Sequence, residues 1–292
     1  LVGTFLEVMR GGSLSAAARA LGLAQPTVRR RIEALEEALG VVLFTRAPNG
    51  LVPTEAAEAT RPYAEAMEAS ARALARVASA PAGELRGTVR VTASEIVGAE
   101  ILPAAFAALR RAHPRLDIEL SLTNRSEDLL RRDADVAVRM VAPRQDALVA
   151  KRVGAVAIGL FASARYLEAH GEPRCLDDLA HHALVGSDRT RGLADFLAEA
   201  GAPVRRRDFA LRTDSDLAQL AAIRAGVGIG ACQVPLAARD PSLRRVLPAL
   251  GTALEVFVVM HEDLRHLERV RAVFRHLVDH LRRHLDEDGE SS

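Results

Sequence analysis

The sequence predicts an α+β protein: a winged helix-turn-helix leads, a long helix follows, and an α/β region makes up the rest. Three observations predict it. Residues 13–46 carry two short helical patterns around a turn glycine. Residues 54–78 are rich in alanine and alternating charge. From Arg86 onward, short β-type runs alternate with helical ones, which argues an α/β fold with largely parallel sheet.

The first element starts at Ser13, whose hydroxyl can cap a helix through the alanines that follow. Ala16, Ala17, Ala18 and Ala20 form helix well and permit close packing. Gly22 stands where a left-handed C-cap belongs, and Pro26 fits the first turn of the next helix. Val28, Ile32, Leu35 and Leu39 give that second helix one apolar face. On a wheel of about 100° per residue, Arg30 points away from that face. Gln25, Pro26, Thr27 and Glu33 share or adjoin its outer side, and Arg29 and Arg31 flank it. Gly40 ends the helix, and residues 41–55 read as a hairpin turning at Asn49-Gly50, a wing. An ordinary helical hairpin would also tolerate a charged face. Here the turn glycine, the proline, the outward arginines and the wing occur in order, the arrangement that presents a helix to the DNA major groove.

These residues carry a resemblance. The run LSAAARALGLAQPTVRRRIEALEEALGVVLFTR resembles the N-terminal domain of LysR-type transcriptional regulators. The match runs through Gln25-Pro26-Thr27-Val28, Ile32, Leu35-Glu36, Leu39-Gly40, Leu43-Phe44 and Arg46. Two positions depart. Ala24 replaces a usual serine cap, a cost of ~1 kcal/mol. Arg29 replaces a small hydroxyl residue, so the base preference of relatives does not carry over. The resemblance implies double-stranded DNA as partner, contacted by Gln25, Pro26, Thr27, Arg29, Arg30 and Arg31 of the helix. Arg46, Asn49 and Thr54 of the wing would lie beside it.

Residues 55–85 read as a linker helix and hinge. Ala56, Thr60, Tyr63, Met67, Ser70, Leu74 and Val77 follow a 4-3 spacing, which suits a close two-helix contact. A helix packed on its own domain would serve as well; the resemblance favours dimerisation. Pro62 should kink or loosen the helix, and Pro81 and Gly83 mark the hinge.

Beyond it, residues 87–94 read as a strand, 97–112 as a helix and 116–122 as a strand. Residues 126–133 read as a short helix and 135–140 as a buried strand. Further strands are expected at 156–163, 183–188, 209–215 and 227–234, with a helix at 216–226. A strand at 254–262 and an amphipathic helix at 267–285 close the chain. The resemblance extends over this region and implies two α/β subdomains arranged like a periplasmic solute-binding protein. The domains are then 1–54, 55–85 and 86–292. Subdomain I takes about 86–153 and 256–288, and subdomain II about 154–255.

Ligands of open α/β sheets sit beyond strand carboxyl ends, against helix N-termini. Ser94, Glu95, Asn124, Ser187 and Ser215 stand at such ends, with Arg139 as the nearest counter-charge for Glu95. Each could equally be a helix cap. Together they suit a small-molecule effector, a small carboxylate or similar metabolite.

Composition sets limits. A net charge of +1 gives no global pull toward nucleic acid, so DNA affinity must be local. Lys151 is the only lysine, which reads as coding bias. Two cysteines, Cys175 and Cys232, suggest a reducing compartment and no disulfide framework. No apolar run of about 18 residues predicts a membrane span. A cytoplasmic location is expected. The chain starts inside an apolar helix pattern without Met, as if residues preceded Leu1.

No cofactor, metal site or catalytic set is expected. Gly226, Gly228 and Gly230 lie between a helix and a strand, a tight turn and not a dinucleotide loop. His276, His280 and His284 read as a solvated helix face, and His181-His182 as a plain loop pair. The function expected is effector-modulated, sequence-specific DNA binding by a homodimer, or a homotetramer formed as a dimer of dimers. The rival reading is a solute-binding or transferase-like α/β protein whose N-terminus is only an interaction surface.

Overall fold

The structure is a computed structural model, described here for residues 1–48, 50–78, 85–124, 134–143, 148–190 and 192–289, with backbone only at 77, 78 and 286–289. The expected helix at 126–133 lies outside the described residues, as does Asn49. The described part falls into two compact units, one ending near Pro81 and one starting near Ala82.

The first unit holds α1 (Val2–Gly11), α2 (Leu14–Leu21), α3 (Gln25–Leu39), strands β1 (Phe44–Ala47) and β2 (Gly50–Pro53), and α4 (Glu55–Ala78). Ser13 caps α2, its Oγ accepting from the Ala16 amide at 3.1 Å. Gly22 and Gly40 end α2 and α3 in the left-handed region. Ala24 offers α3 no side-chain cap, as expected. Phe5, Leu6, Val28, Ile32 and Leu43 form the buried core, joined by Ala57 and Ala64 of α4. The wing is a two-stranded antiparallel ladder in which Gly50 already pairs with Ala47, so Gly50 belongs to the strand and not to the turn. Its backbone lies on the Gly12 carbonyl, with the Leu51 amide donating to Gly12 O at 2.8 Å. A Cβ on Gly50 would sit 2.5 Å from that oxygen, and its φ is 136°. The helix α4 continues through Pro62 from Glu55 to Ala78, with Thr60 Oγ1 donating to the Ala56 carbonyl at 2.7 Å.

The second unit is built on a six-stranded sheet. It contains β3 (Gly87–Ala93), a π-helical turn Val97–Ile101, α5 (Leu102–Ala112), β4 (Leu116–Leu122), β5 (Val136–Arg139) and β6 (Leu148–Ser163). Then come α6 (Ala164–His170), β7 (Leu184–Gly186), α7 (Leu193–Glu199), β8 (Phe209–Arg212) and α8 (Asp216–Ala225). The chain closes with β9 (Gly230–Gln233), α9 (Val234–Ala238), β10 (Leu243–His261) and α10 (Glu268–Gly289). The strand order is β4-β3-β5-β10-β6-β9, with β7 and β8 as a separate parallel pair. Only β3 with β4 and β5 is parallel within the main sheet; β10 runs antiparallel to β5 and β6, and β9 to β6. The expectation of largely parallel sheet is thus corrected to a mixed one.

The cause is the pair of crossing strands. Each is far longer than its sequence signal: β6 spans 16 residues and β10 spans 19. They pair antiparallel along nearly their whole length and run through both lobes. A register shift at Val256/Phe257 faces Arg152 and Gly154, close to the expected crossing points. The first lobe buries Val89, Val91, Val136, Val258, Val273 and Leu277, so α5 and α10 cover its sheet. The second lobe divides its core across β6: Leu160 and Ala162 pack toward Tyr166 and Leu184, and Phe161 toward Val185 and Ile223. That alternation is the period of a strand buried on both faces.

Two histidine readings need correction. His276 Nε2 lies 2.8 Å from the Ala105 carbonyl, and His284 is buried with Nδ1 2.9 Å from Arg239 Nη2. The face is therefore packed against protein and not solvated, because α10 lies against α5 as well as against the sheet. His182 is likewise no plain loop residue: it is buried, with Nδ1 3.2 Å from the Tyr166 hydroxyl. Burial, then the neighbouring His170, holds its pKa below the usual histidine value.

Candidate functional site

In the first unit, α3 turns Val28, Ile32 and Leu35 inward and leaves Gln25, Pro26, Arg29, Arg30 and Arg31 exposed. Thr27 is half-buried. Arg31 leans back, its Nη1 donating to Thr4 Oγ1 at 3.4 Å. Arg29, Arg30 and the exposed wing residue Arg46 have no carboxylate partner among the described residues. Glu36 fixes the wing to α3, its Oε1 accepting from the amides of Leu43 and Phe44 at 2.6 and 3.2 Å. Thr54 is bound up in the fold. Its Oγ1 donates to the Val42 carbonyl at 2.8 Å and accepts from the Ala57 amide at 3.2 Å, capping α4. Along α4, Tyr63, Met67 and Leu74 are 75%, 60% and 71% exposed, which leaves the apolar stripe uncovered in the single chain. Ala56 and Thr60 are half-buried and Ser70 is exposed.

In the second unit a cavity of about 570 Å³ opens between the lobes. Ser94, Asn124 and Ser187 line it, as expected for a site past strand ends. Glu95, Ser215 and Arg139 are not in its wall. Ser215 caps α8, accepting from the Ala218 amide at 3.4 Å, and its own hydroxyl donates to Glu95 Oε2 at 2.8 Å. The Leu217 amide donates to the same oxygen at 3.2 Å. Glu95 therefore finds its partners at the start of α8, where a carboxylate meets free amides and the positive end of the helix. Arg139 is buried and donates to Thr92 Oγ1 at 2.9 Å and to the Val138 carbonyl at 3.1 Å, so it serves the interior of the sheet.

Asn124 joins the two lobes. Its Oδ1 accepts from the Glu95 amide at 3.1 Å, and its Nδ2 donates to Asp216 Oδ2 at 3.0 Å. Burial, then the charge of Glu95, raises the Asp216 pKa, while the Asn124 bond pulls the other way. A second bridge lies farther along α8. Arg224 donates to Glu100 of the first lobe at 3.0 and 3.2 Å and to Asp240 of the second at 2.9 Å.

Several wall residues carry no sequence signal. Gln219 and Gln233 look like ordinary helix and strand polar positions, yet both are buried in the wall. Thr252 and Leu254 reach it because β10 begins well before its apolar run. Asp214 also lines the cavity but serves the 188–190 loop: Oδ1 accepts from the amides of Asp188, Arg189 and Thr190 at 3.0, 2.9 and 3.2 Å. Those bonds hold its pKa far below the usual carboxylate range. Cys232 faces the cavity as a neutral thiol, its pKa pushed by burial up to about 11. Among the described residues no group of histidine, cysteine and carboxylate side chains could hold a metal ion.

Comparison with known proteins matches residues 1–58 to the bacterial regulatory helix-turn-helix proteins of the lysR family, and residues 82–282 to the LysR substrate binding domain. The chain belongs to the LysR family of transcriptional regulators. YeiE of Escherichia coli K12, described as an uncharacterized HTH-type transcriptional regulator, is 30% identical over 97% of this chain and 94% of its own. A Xanthomonas campestris HTH-type transcriptional regulator is 31% identical over 65% of this chain; the match spans 55% of that relative's length. Among solved structures, full-length CbnR complexed with its target DNA superposes with a TM-score of 0.67 at 23% identity, covering 97% of this chain and 98% of that one. AphB, a virulence activator of Vibrio cholerae, gives 0.61 at 22% identity, covering 95% and 97%. The relatives are named as regulators of transcription and not as enzymes. No described helix is long and apolar enough to cross a membrane.

Proposed function

We propose that this LysR-type regulator reads a specific operator with α3 and the wing, and that a small molecule bound between the lobes modulates the contact. The observation that carries the DNA reading is the outer face of α3, where Arg29 and Arg30 stand exposed beside Pro26 without carboxylate partners among the described residues. Free arginines at the start of a helix whose other face is core are suited to base edges and phosphates. Gln25 and Thr27 flank them, and Arg46 reaches the backbone from the wing. Asn49 is a further candidate DNA contact in this reading. Thr54 contributes through its cap of α4.

The ligand reading rests on the cavity and on the polar groups of Ser94, Asn124 and Ser187 in its wall. Domains at 1–54, 55–85 and 86–292 place DNA binding, pairing and effector binding in sequence. The stripe of α4 pairs two chains, and two such dimers form a tetramer on a bent operator in the cytoplasm. A small carboxylate is the effector that free helix amides would select; at α8 those amides already hold Glu95.

The test is selection of bound duplexes from a random-sequence pool. Enrichment of one motif, with affinity falling steeply as salt rises, is the expected result. A pool that stays random would favour the solute-binding rival. A thermal-shift screen of metabolites tests the ligand half, since ligand at 100 times its Kd stabilises by about 2.7 kcal/mol.

A further inference from the structure

The chemistry of the inter-lobe cavity can be read beyond its location. Its wall is apolar over most of its extent, with Ile158, Leu193, Phe196 and Leu220 among the lining side chains. The polar groups fall into a pattern. Gln219 is 9% exposed and donates through Nε2 to the Thr213 carbonyl at 2.8 Å. Gln233 is 5% exposed and directs Nε2 at Met140 Sδ, 3.9 Å away. In each amide one N–H of Nε2 is directed at protein. The remaining Oε1 atoms are acceptors with no partner among the described residues. Asn124 is engaged at both ends, its orientation fixed because the Glu95 amide can only donate. Asp216 lines the cavity and receives a single hydrogen bond, from Asn124, while Glu95 stands behind it. Ser94 Oγ is buried and without a partner.

The wall is thus an apolar chamber that offers two unpaired glutamine acceptors, the Ser94 hydroxyl and one carboxylate, Asp216, with no cation paired to it among the described residues. We propose that the cavity takes a ligand with an ammonium or similar cationic donor on an apolar body, the cation seated at Asp216 and the body against Phe196 and Leu220. The inference rests on the cavity being the effector site. A carboxylate ligand would meet Asp216 at close range and leave both glutamine acceptors unpaired. A cation neutralises Asp216 and supplies the missing donors. Burial, then the Glu95 charge, raises the Asp216 pKa, the direction expected of a carboxylate that lacks its counter-charge.

Three probes of one shape separate the cases: 3-phenylpropylamine, 3-phenylpropanol and 3-phenylpropanoate, titrated calorimetrically into the full chain. The amine should bind tightest and the carboxylate weakest. Asp216→Asn should weaken the amine by on the order of ten- to a hundredfold, the range of a charged hydrogen bond, and leave the alcohol unchanged. Asp216→Ser replaces it if the asparagine variant does not fold. Tightest binding by the carboxylate or the alcohol, or an amine affinity indifferent to Asp216, overturns the inference while leaving the cavity as the effector site. Ala231→Phe, which fills the chamber, should abolish all binding. If no probe binds, or if Ala231→Phe changes nothing, the cavity reading itself fails and the inference with it.

Discussion

At the scale of single residues, the two sites place opposite demands on charge. On α3 the arginines proposed to meet DNA are those without carboxylate partners among the described residues. Arg30→Ala should therefore weaken operator binding by about 1–3 kcal/mol, the range of a bidentate guanine contact, while leaving the fold intact. Fluorescence anisotropy at fixed salt on the selected operator measures this; equal affinities would remove Arg30 from the interface. In the second unit, Asp214 is useful because it is saturated. Its folded pKa is depressed, so its stabilisation is present above the ordinary carboxylate range and is lost as pH falls toward the folded value. Wild type should lose stability on acidification below about pH 4, and Asp214→Asn should flatten that part of the profile. Parallel acid-limb curves for the two proteins would show that the loop clamp contributes nothing. Of these residues, Arg30 is legible in the sequence because helix periodicity alone orients it. The Glu95 partners are not, because a contact across 120 residues leaves no local mark.

At the scale of elements, agreement follows the locality of the signal. The caps at Ser13, Gly22 and Gly40 stand where the sequence puts them, since a cap involves only a few neighbouring residues. The three glycines at 226–230 also behave as an αβ turn. Gly226 is left-handed, and a Cβ on Gly228 or Gly230 would lie 2.2 Å from the Ala183 carbonyl or 2.6 Å from Ile223. By contrast β6 and β10 exceed their apolar runs, because pairing with each other sustains them through exposed, polar stretches. The histidine face of α10 departs from expectation for a related reason: contacts from distant parts of the chain, the Ala105 carbonyl and Arg239, cover it. For α4, the exposed Tyr63, Met67 and Leu74 give the pairing proposal its test. Leu74→Arg should lower the mass seen by light scattering and weaken DNA binding, since a charge in an apolar seam is strongly unfavourable. An unchanged mass would assign the seam elsewhere.

At the scale of the whole chain, polar contacts at both ends of α8 join the lobes of the second unit, with Asn124 on Asp216 among them. Glu95 reaches the start of α8, and Glu100 reaches Arg224 near its end. Both join the first lobe to α8 of the second. Arg224→Ala should lower stability by about 1–2 kcal/mol, the worth of its charged hydrogen bonds reduced for solvent screening. It should also speed amide exchange around Ile96–Leu102 more than in the core of β3. Urea unfolding and hydrogen exchange report these separately, and uniform exchange would show that Arg224 does not hold the junction.

The place of β10 in the sheet has a consequence for how the protein is made. It is the last strand in sequence, yet it lies between β5 and β6 in the strand order. The main sheet cannot close until residues 243–261 have left the ribosome, because β5 and β6 have no shared edge before then. The first unit waits for nothing of the kind, its core being complete within α4. Synthesis therefore delivers a finished DNA reader long before its sensor, and for that interval β5 and β6 are open edges that invite wrong pairing.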